Sequence, residues 1–315
     1  MRSGHPKIRG IGYGAGAGAL WGLVFLAPKL VPMFNGVEMA SARYLAYGLI
    51  SLVLILPRWR GVRAALTSRD WLDLAWLSLL GNTLYYILLA MAVQTGGVAM
   101  TTLIIGFLPV VVTIAGRRDH GAAPLRKLAP ALALCAAGIL CISGQAVFAP
   151  SATAPGLRWI GLSCATGALL SWAGYAVGNN RCLARLHGVS SDDWNLLTGV
   201  VTGLQAVCLV PLALLVDHKA HAAAEWWRLA GVSAGVAVVA SIGGNALWNR
   251  MNRLLPLTLA GQMILFETLF ALIYGFVWDR RWPTPLEIAA FAFVVLGVTL
   301  CIAAHRSPPE ALQTG

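Results

Sequence analysis

Ten long apolar runs follow one another along the chain, at residues 11–31, 39–56, 72–93, 98–115, 128–148, 159–177, 196–216, 229–248, 257–277 and 288–304. Each has the roughly 17 to 25 residues that a helix needs to cross the hydrocarbon core of a bilayer. The gaps are short and carry turn formers or charges, as in Gln94-Thr95-Gly96-Gly97, Arg117-Arg118-Asp119-His120 and Trp282-Pro283-Thr284-Pro285. The pattern predicts an all-α integral membrane protein with ten transmembrane helices and no room for a soluble domain. Gly14, Gly16 and Gly18 in the first run predict close helix contact, since small residues let membrane helices approach.

Laying the first five runs on the last five brings like residues together. Gly81-Asn82 with Tyr85 answers Gly244-Asn245 with Trp248, Gly116 answers Gly275, and Gly138 answers Gly297. Ala19-Leu20-Trp21 resembles Leu170-Ser171-Trp172, and Cys141-Ile142 resembles Cys301-Ile302. The shared order predicts a tandem arrangement of residues 1–150 and 151–315. An odd number of spans in each half turns the second over, so two inverted five-helix repeats are expected. That architecture gives secondary transporters two related gates around one midplane site.

Composition agrees: 58% of the 315 residues are hydrophobic and only 11% charged, against about 25% in soluble domains. The net charge of +11 sits in short gaps between apolar runs, not in a basic domain, so topology accounts for it and nucleic acid does not. With a cytoplasmic amino terminus, sixteen of the 23 Lys and Arg residues fall on the cytoplasmic side. Both termini are then cytoplasmic in a multi-pass protein of the inner membrane. Trp59, Trp71, Trp76, Trp159, Trp194, Trp226, Trp227, Trp278 and Trp282 fall near run ends, where indoles favour headgroups, and only Trp21, Trp172 and Trp248 lie deeper. The six cysteines have no CxxC pair and no histidine cluster, and read as packing residues; neither a metal nor a cofactor is expected.

Several short motifs carry a family resemblance: Ala19-Leu20-Trp21-Gly22, Ala42-Arg43-Tyr44, Leu108-Pro109-Val110, Phe266-Glu267, Ala137-Gly138 and Leu296-Gly297. Through them nearly the whole chain resembles the EamA-type members of the drug/metabolite transporter superfamily. The resemblance implies ten helices in two inverted repeats and a central cavity lined mainly by the first, third, fourth, sixth, eighth and ninth spans. It also implies export of amino acids or other metabolites. Thr268 stands where relatives often carry proline after the ninth-span acid, so no kink is expected there.

Polar groups inside hydrocarbon are costly unless they meet a cavity or a partner, which makes them the first candidates. Helical spacing puts Asn82, Tyr85 and Tyr86 on one face of the third span, and Asn245, Trp248 and Asn249 on one face of the eighth. These faces either line a solute cavity or cross-bond neighbouring helices. Trp21, Trp172 and Tyr175 serve as gate, stacking surface or core filling. Glu267 is the one carboxylate near the middle of a span and reads as a proton-coupling or substrate-amine site, with Gln262 about a turn earlier; a structural acid bonded to its neighbours is the alternative. Lys29 and Arg43 read as snorkelling cations or as attractors of anionic groups.

The expected partners are a small-molecule substrate and the lipid bilayer, in a monomer or homodimer. No HExxH, GxSxG or paired intramembrane carboxylates point to an embedded enzyme, and no filter sequence or charge ring points to a channel. A sugar-phosphate or nucleotide-sugar exchanger is the alternative within the superfamily, but the deep faces are amide and aromatic, whereas phosphate favours several Lys or Arg residues. Without a Walker motif, transport is expected to be secondary.

Overall fold

The computed structural model describes residues 4–96, 101, 104–118, 124–148, 155–216, 221–280 and 282–305, and among them every regular element is helical. The principal helices are α1 (Gly4–Gly22), α2 (Gly36–Ile55), α3 (Ser68–Ser78), α4 (Leu84–Gly96), α5 (Leu108–Ala115), α6 (Leu125–Phe148) and α7 (Pro155–Arg185). They continue as α8 (Ser191–Val216), α9 (Ala223–Val236), α10 (Asn245–Asn252), α11 (Leu257–Met263), α12 (Leu265–Asp279) and α13 (Pro285–Ala304). Capping boxes start three of them: Asn35 with Glu38 on α2, Thr67 with Asp70 on α3, and Thr284 with Glu287 on α13. In each, side chains satisfy amides that the first helical turn leaves open.

The expectation of ten transmembrane helices in two inverted five-helix repeats is corrected here, because the ten-helix count is not matched. Among the described residues, seven helices are long and apolar enough to cross a membrane: Gly36–Ala64, Ser68–Leu89, Trp159–Arg185, Ser191–Ala213, Ala223–Asn252, Leu257–Trp278 and Pro285–Ala304. Two of the other apolar runs are interrupted. The run at 11–31 is divided among α1, a tight turn at Leu23–Leu26 and a short helix at Ala27–Leu30. In the run at 98–115, α5 covers only the last eight residues, and 98–100 and 102–103 lie outside the described residues. Pro109 sits in the first turn of α5, where its missing N–H costs nothing, so it starts a helix instead of kinking one. The fifth run lies in α6, one continuous helix whose side chains from 142 onward lie outside the described residues.

Packing is reciprocal between the first and second parts of the chain. α2 lies along α8 and α6 along α13, while α1 packs on α10 and α12 as α7 packs on α4 and α5. The α2–α8 crossing is the tightest: a Cβ added at Gly48 would stand 2.5 Å from the Gly203 Cα, so the backbones touch where no side chain fits. α1 behaves as its glycines predicted, since a Cβ on Gly18 would lie 2.7 Å from the Glu267 backbone nitrogen. Below Gly48, Tyr47 is fully buried and donates to both the backbone carbonyl (2.8 Å) and the Oδ1 (2.6 Å) of Asn195.

Different chemistry closes the two ends. At one, Arg185 pairs with Asp70 (2.8 Å) and Asp73 (2.7 Å), Arg250 with Asp192 (2.6 Å), and Arg58 with Asp193 (3.0 Å). Lys7 Nζ donates to the His305 carbonyl at 2.9 Å, so the described ends of the chain meet at one end of the bundle. At the other, His221 stacks on Phe34 (4.2 Å between centroids) between Glu38 (3.7 Å) and Glu225 (3.6 Å). Trp159, Trp227, Trp278 and Trp282 are exposed, as interfacial indoles would be, whereas Trp194 is buried and donates to Asn179 Oδ1 at 2.9 Å.

Two expectations follow. Replacing Gly48 by Val forces α2 from α8, and overpacking of that kind costs about 1–3 kcal/mol; a lowered melting temperature of the purified protein in detergent checks it. His305 is buried, its Nε2 2.8 Å from Thr258 Oγ1 and its Nδ1 2.8 Å from the Cys301 carbonyl, and burial first, with the Lys7 charge, holds its pKa below the usual histidine value. The folded protein therefore keeps His305 neutral, and the unfolded chain takes up the proton first. Its contribution is fully present above about pH 6.5 and is lost as the pH falls through the lower folded value. Acidification from about pH 7.5 to about pH 5.5 should lower the melting temperature of the wild type more than that of His305→Gln.

Candidate functional site

Two helices that run through the bundle are broken by π-helical turns. Leu79–Thr83 joins α3 to α4, and Ala237–Gly244 joins α9 to α10. Such turns disturb the regular hydrogen-bond ladder and occur often at functional sites. Side chains from across the bundle add bonds there: Ser171 Oγ of α7 donates to the Leu80 carbonyl (2.7 Å), and Trp21 Nε1 of α1 donates to the Ala240 carbonyl (3.1 Å). Asn195 of α8 adds a bond to the Ile242 carbonyl at 2.9 Å, and the Ala240 and Ile242 carbonyls also accept the Asn245 amide. Glycines allow the approach, since a Cβ on Gly81 would meet the Tyr175 ring at 2.5 Å and one on Gly244 the Trp21 indole at 2.6 Å.

At these breaks the three deep tryptophans form one cluster. Trp21 and Trp248 lie 5.3 Å apart between ring centroids, Trp172 and Trp248 5.7 Å, and Trp21 and Trp172 6.4 Å in an edge-on arrangement. Tyr175 extends it, 5.8 Å from Trp172. Trp248 is 1% exposed, and its Nε1 finds no acceptor among the described residues. A buried indole N–H without a partner is an open donor inside an apolar enclosure.

One residue along the same π turn begins a second, charged cluster. Arg43 Nε of α2 donates to Ser241 Oγ at 3.1 Å. The guanidinium carbon stands 5.5 Å from the Tyr44 ring centre and 5.9 Å from that of Tyr86, within cation–π range. Tyr86 meets Tyr44 (5.6 Å) and Tyr85 (6.5 Å) edge-on. Glu267, in the first turn of α12, lies within electrostatic reach of Arg43 and Tyr85. Arg43, Tyr85, Tyr86 and Glu267 sit within the bundle yet keep part of their surface accessible. Arg43 and Tyr86 line a cavity of about 20 Å³ with Val24, Val31, Met39 and Val236, roughly the room one water needs. A wider groove of about 640 Å³ between α3, α5 and α7 reaches the first π turn at Leu80, with Asp73, Trp76, Val111 and Arg185 on its walls.

The structure thus gathers Trp21, Trp172, Tyr175 and Trp248 in one group and Tyr85, Tyr86 and Glu267 in another, joined through Ala240 and Ser241. The amides are dispersed among helix contacts. Asn82 donates to Thr202 of α8 (3.2 Å), Asn245 opens α10 directly after the second π turn, and Asn249 accepts from Asn179 of α7 (2.9 Å). Gln262 is fully buried, donating to Thr113 (3.1 Å) and accepting from Cys135 (3.5 Å). Sequence reasoning missed Ser241, which precedes Gly243-Gly244, and the amide pair Asn179-Asn180, whose partners Asn249 and Asn252 recur at helical spacing. The Lys29 side chain lies outside the description.

Repeated membrane crossings, two broken helices and a buried cluster of rings and charges are the construction of a membrane transporter. The chain belongs to the EamA-like transporter family, whose model matches it twice, at residues 8–144 and 159–303. It is 31% identical over 319 residues to the Inner membrane protein YtfF of Escherichia coli (strain K12), across 96% of this chain and 97% of that one. A solved crystal structure of a protein only 16% identical superposes with a TM-score of 0.72, covering 93% of this chain and 97% of the other, which is a likeness of fold.

The clusters differ in what their loss should do. Trp21→Phe keeps a ring against Trp248 but removes the indole donor to the Ala240 carbonyl, which retains the Asn245 amide, a loss of about 0.5–1.5 kcal/mol. Trp248→Ala empties the centre of the triad and costs about 3–5 kcal/mol. Thermal unfolding of the two purified variants should rank them in that order.

Proposed function

We propose that the protein is a secondary transporter that moves small organic metabolites across the inner membrane by alternating access. The single observation that carries this is the reciprocity of the two broken helices. Each π turn has a carbonyl held by a side chain from the other part of the chain, Leu80 by Ser171 and Ala240 by Trp21. On this reading residues 1–150 and 151–315 are the working halves, and exchanging one set of crossing contacts for the other opens the solute site to alternate sides. The inner-membrane location follows that of the relative. The meeting of Lys7 with His305 supports two termini on one side, and the surplus of arginine and lysine on that side makes it the cytoplasmic one.

The finer reading is export of zwitterionic or neutral amphipathic metabolites, amino acids among them. Indole and phenol rings supply an apolar, stackable surface; Glu267 supplies a carboxylate that takes either a proton or a solute ammonium group. Competition between those two cations for one carboxylate links solute movement to a proton gradient.

The test is a liposome uptake screen of amino acids and related metabolites, with and without an imposed pH gradient. Saturable counterflow is expected from the wild type; in Glu267→Gln acceleration by the gradient is expected to vanish, and the counterflow that remains should half-saturate at a higher solute concentration. Full gradient-driven transport by that variant would remove Glu267 from the coupling step. Hydrolysis or group transfer without solute movement would defeat the transporter reading itself.

A further inference from the structure

Arg43 stands apart from the other cations of the described chain. It belongs to an apolar stretch of α2, yet its head turns inward to Ser241 and Tyr86 instead of outward to water. Snorkelling does not describe it, because a snorkelling side chain carries its charge to the interface. Two tyrosine rings and the Ser241 hydroxyl hold the guanidinium, and a guanidinium has five N–H donors. Donors therefore remain. Among the described residues no carboxylate forms an ion pair with it, and Glu267 acts on it only at longer range.

Arg43 and Glu267 carry opposite charge, interact at range without forming an ion pair, and each keeps part of its surface accessible within the bundle. A solute with one group of each sign would complete both. The cavity beside Arg43 admits about one water, so a solute enters only as the neighbouring helices part. The Arg43–Ser241 bond reaches the π turn that would move.

We infer that Arg43 is the residue that selects solutes by a carboxylate group, so that the preferred ligand bridges Arg43 and Glu267 with the carboxylate and ammonium of one zwitterion. The inference rests on the transporter reading and adds to it the polarity of the bound solute. A planar guanidinium matches a carboxylate with two parallel N–H···O bonds, which an ammonium in its place does not. The tyrosine and tryptophan rings around the pair then receive the apolar remainder of the solute.

The experiment uses the full-length protein in proteoliposomes and three probes of one shape: L-phenylalanine, 2-phenylethylamine, which lacks the carboxylate, and 3-phenylpropionate, which lacks the amine. A second set, built on L-leucine with isoamylamine and 4-methylpentanoate, covers aliphatic solutes. Counterflow and quenching of tryptophan fluorescence are read for each. The zwitterion of at least one set should half-saturate at a concentration lower than its amine or acid by about tenfold or more, the value of a charged hydrogen bond. Arg43→Gln should remove the preference of zwitterion over amine, and Arg43→Lys should restore part of it. Should Arg43→Gln fail to fold, the analogue series on the wild type decides alone. Equal handling of zwitterion and amine, unchanged selectivity in Arg43→Gln, or saturable movement confined to neutral, cationic or phosphate-bearing solutes would overturn the assignment while leaving a transporter in place. Absence of saturable movement for every solute of the wider screen would overturn the transporter reading and this inference with it.

Discussion

Hydrocarbon offers no hydrogen bonds, and that constraint governs this molecule. A regular helix satisfies it alone; a broken one does not. The chain breaks two of its helices near their middles and brings side-chain donors to carbonyls of the breaks from helices distant in sequence, Ser171 91 residues from Leu80 and Trp21 219 residues from Ala240. The donors sit on α7 and α1, which occupy corresponding places in the two parts of the chain. Each part thereby braces the other's break. The glycines at the breaks, the tryptophan triad and the turn of Arg43 toward Ser241 all follow from bringing those helices together.

The energies involved keep such an assembly movable. Each crossing hydrogen bond contributes about 0.5–1.5 kcal/mol net, and each aromatic pair about as much beyond its buried area. Those sums are small enough that one set of contacts can be traded for its counterpart without unfolding. The ends differ in how they are closed. One carries three sets of arginine–aspartate pairs on half-exposed arginines, over an apolar cluster that includes Ile55, Val62, Leu74, Leu183, Leu186 and Val189. The other is closed by Phe34, His221 and Trp226 packed ring against ring. Between them the α2–α8 crossing brings backbone against backbone at Gly48 and Gly203.

Much of this was legible in the sequence for physical reasons. Lipid demands long apolar runs, so the helical class and its approximate spans could be read directly, as could the glycines of α1 and the depth of Trp21, Trp172 and Trp248. Individual spans were less legible. Apolarity marks what lies in the membrane but not whether the backbone remains one helix, which is why the ten-helix expectation failed at the divided first run and at α5. The amides misled for a related reason. Helical spacing correctly put Asn82 and Asn249 on inward faces, but an inward face can meet another helix as well as a cavity, and Thr202 and Asn179 are what they meet. Trp194 shows the same limit: its position near a run end fits an interfacial indole, yet a single acceptor on Asn179 keeps it inside.

Arg43 and Glu267 were visible as charges in apolar runs, but their relation was not. The sequence separates them by 224 residues, and no periodicity joins them. The fold does so through α1, whose glycines let its backbone lie against the start of α12 at Glu267 while Trp21 on the same helix bonds the π turn that holds Ser241. A single helix thus packs against the start of α12 at Glu267 and, through Trp21, braces one of the two breaks. Any motion of α1 relative to α10 and α12 must alter both together. The charges that would grip a solute and the contacts that would open its path are parts of one mechanical unit, because the same small residues that admit close packing leave no slack between them.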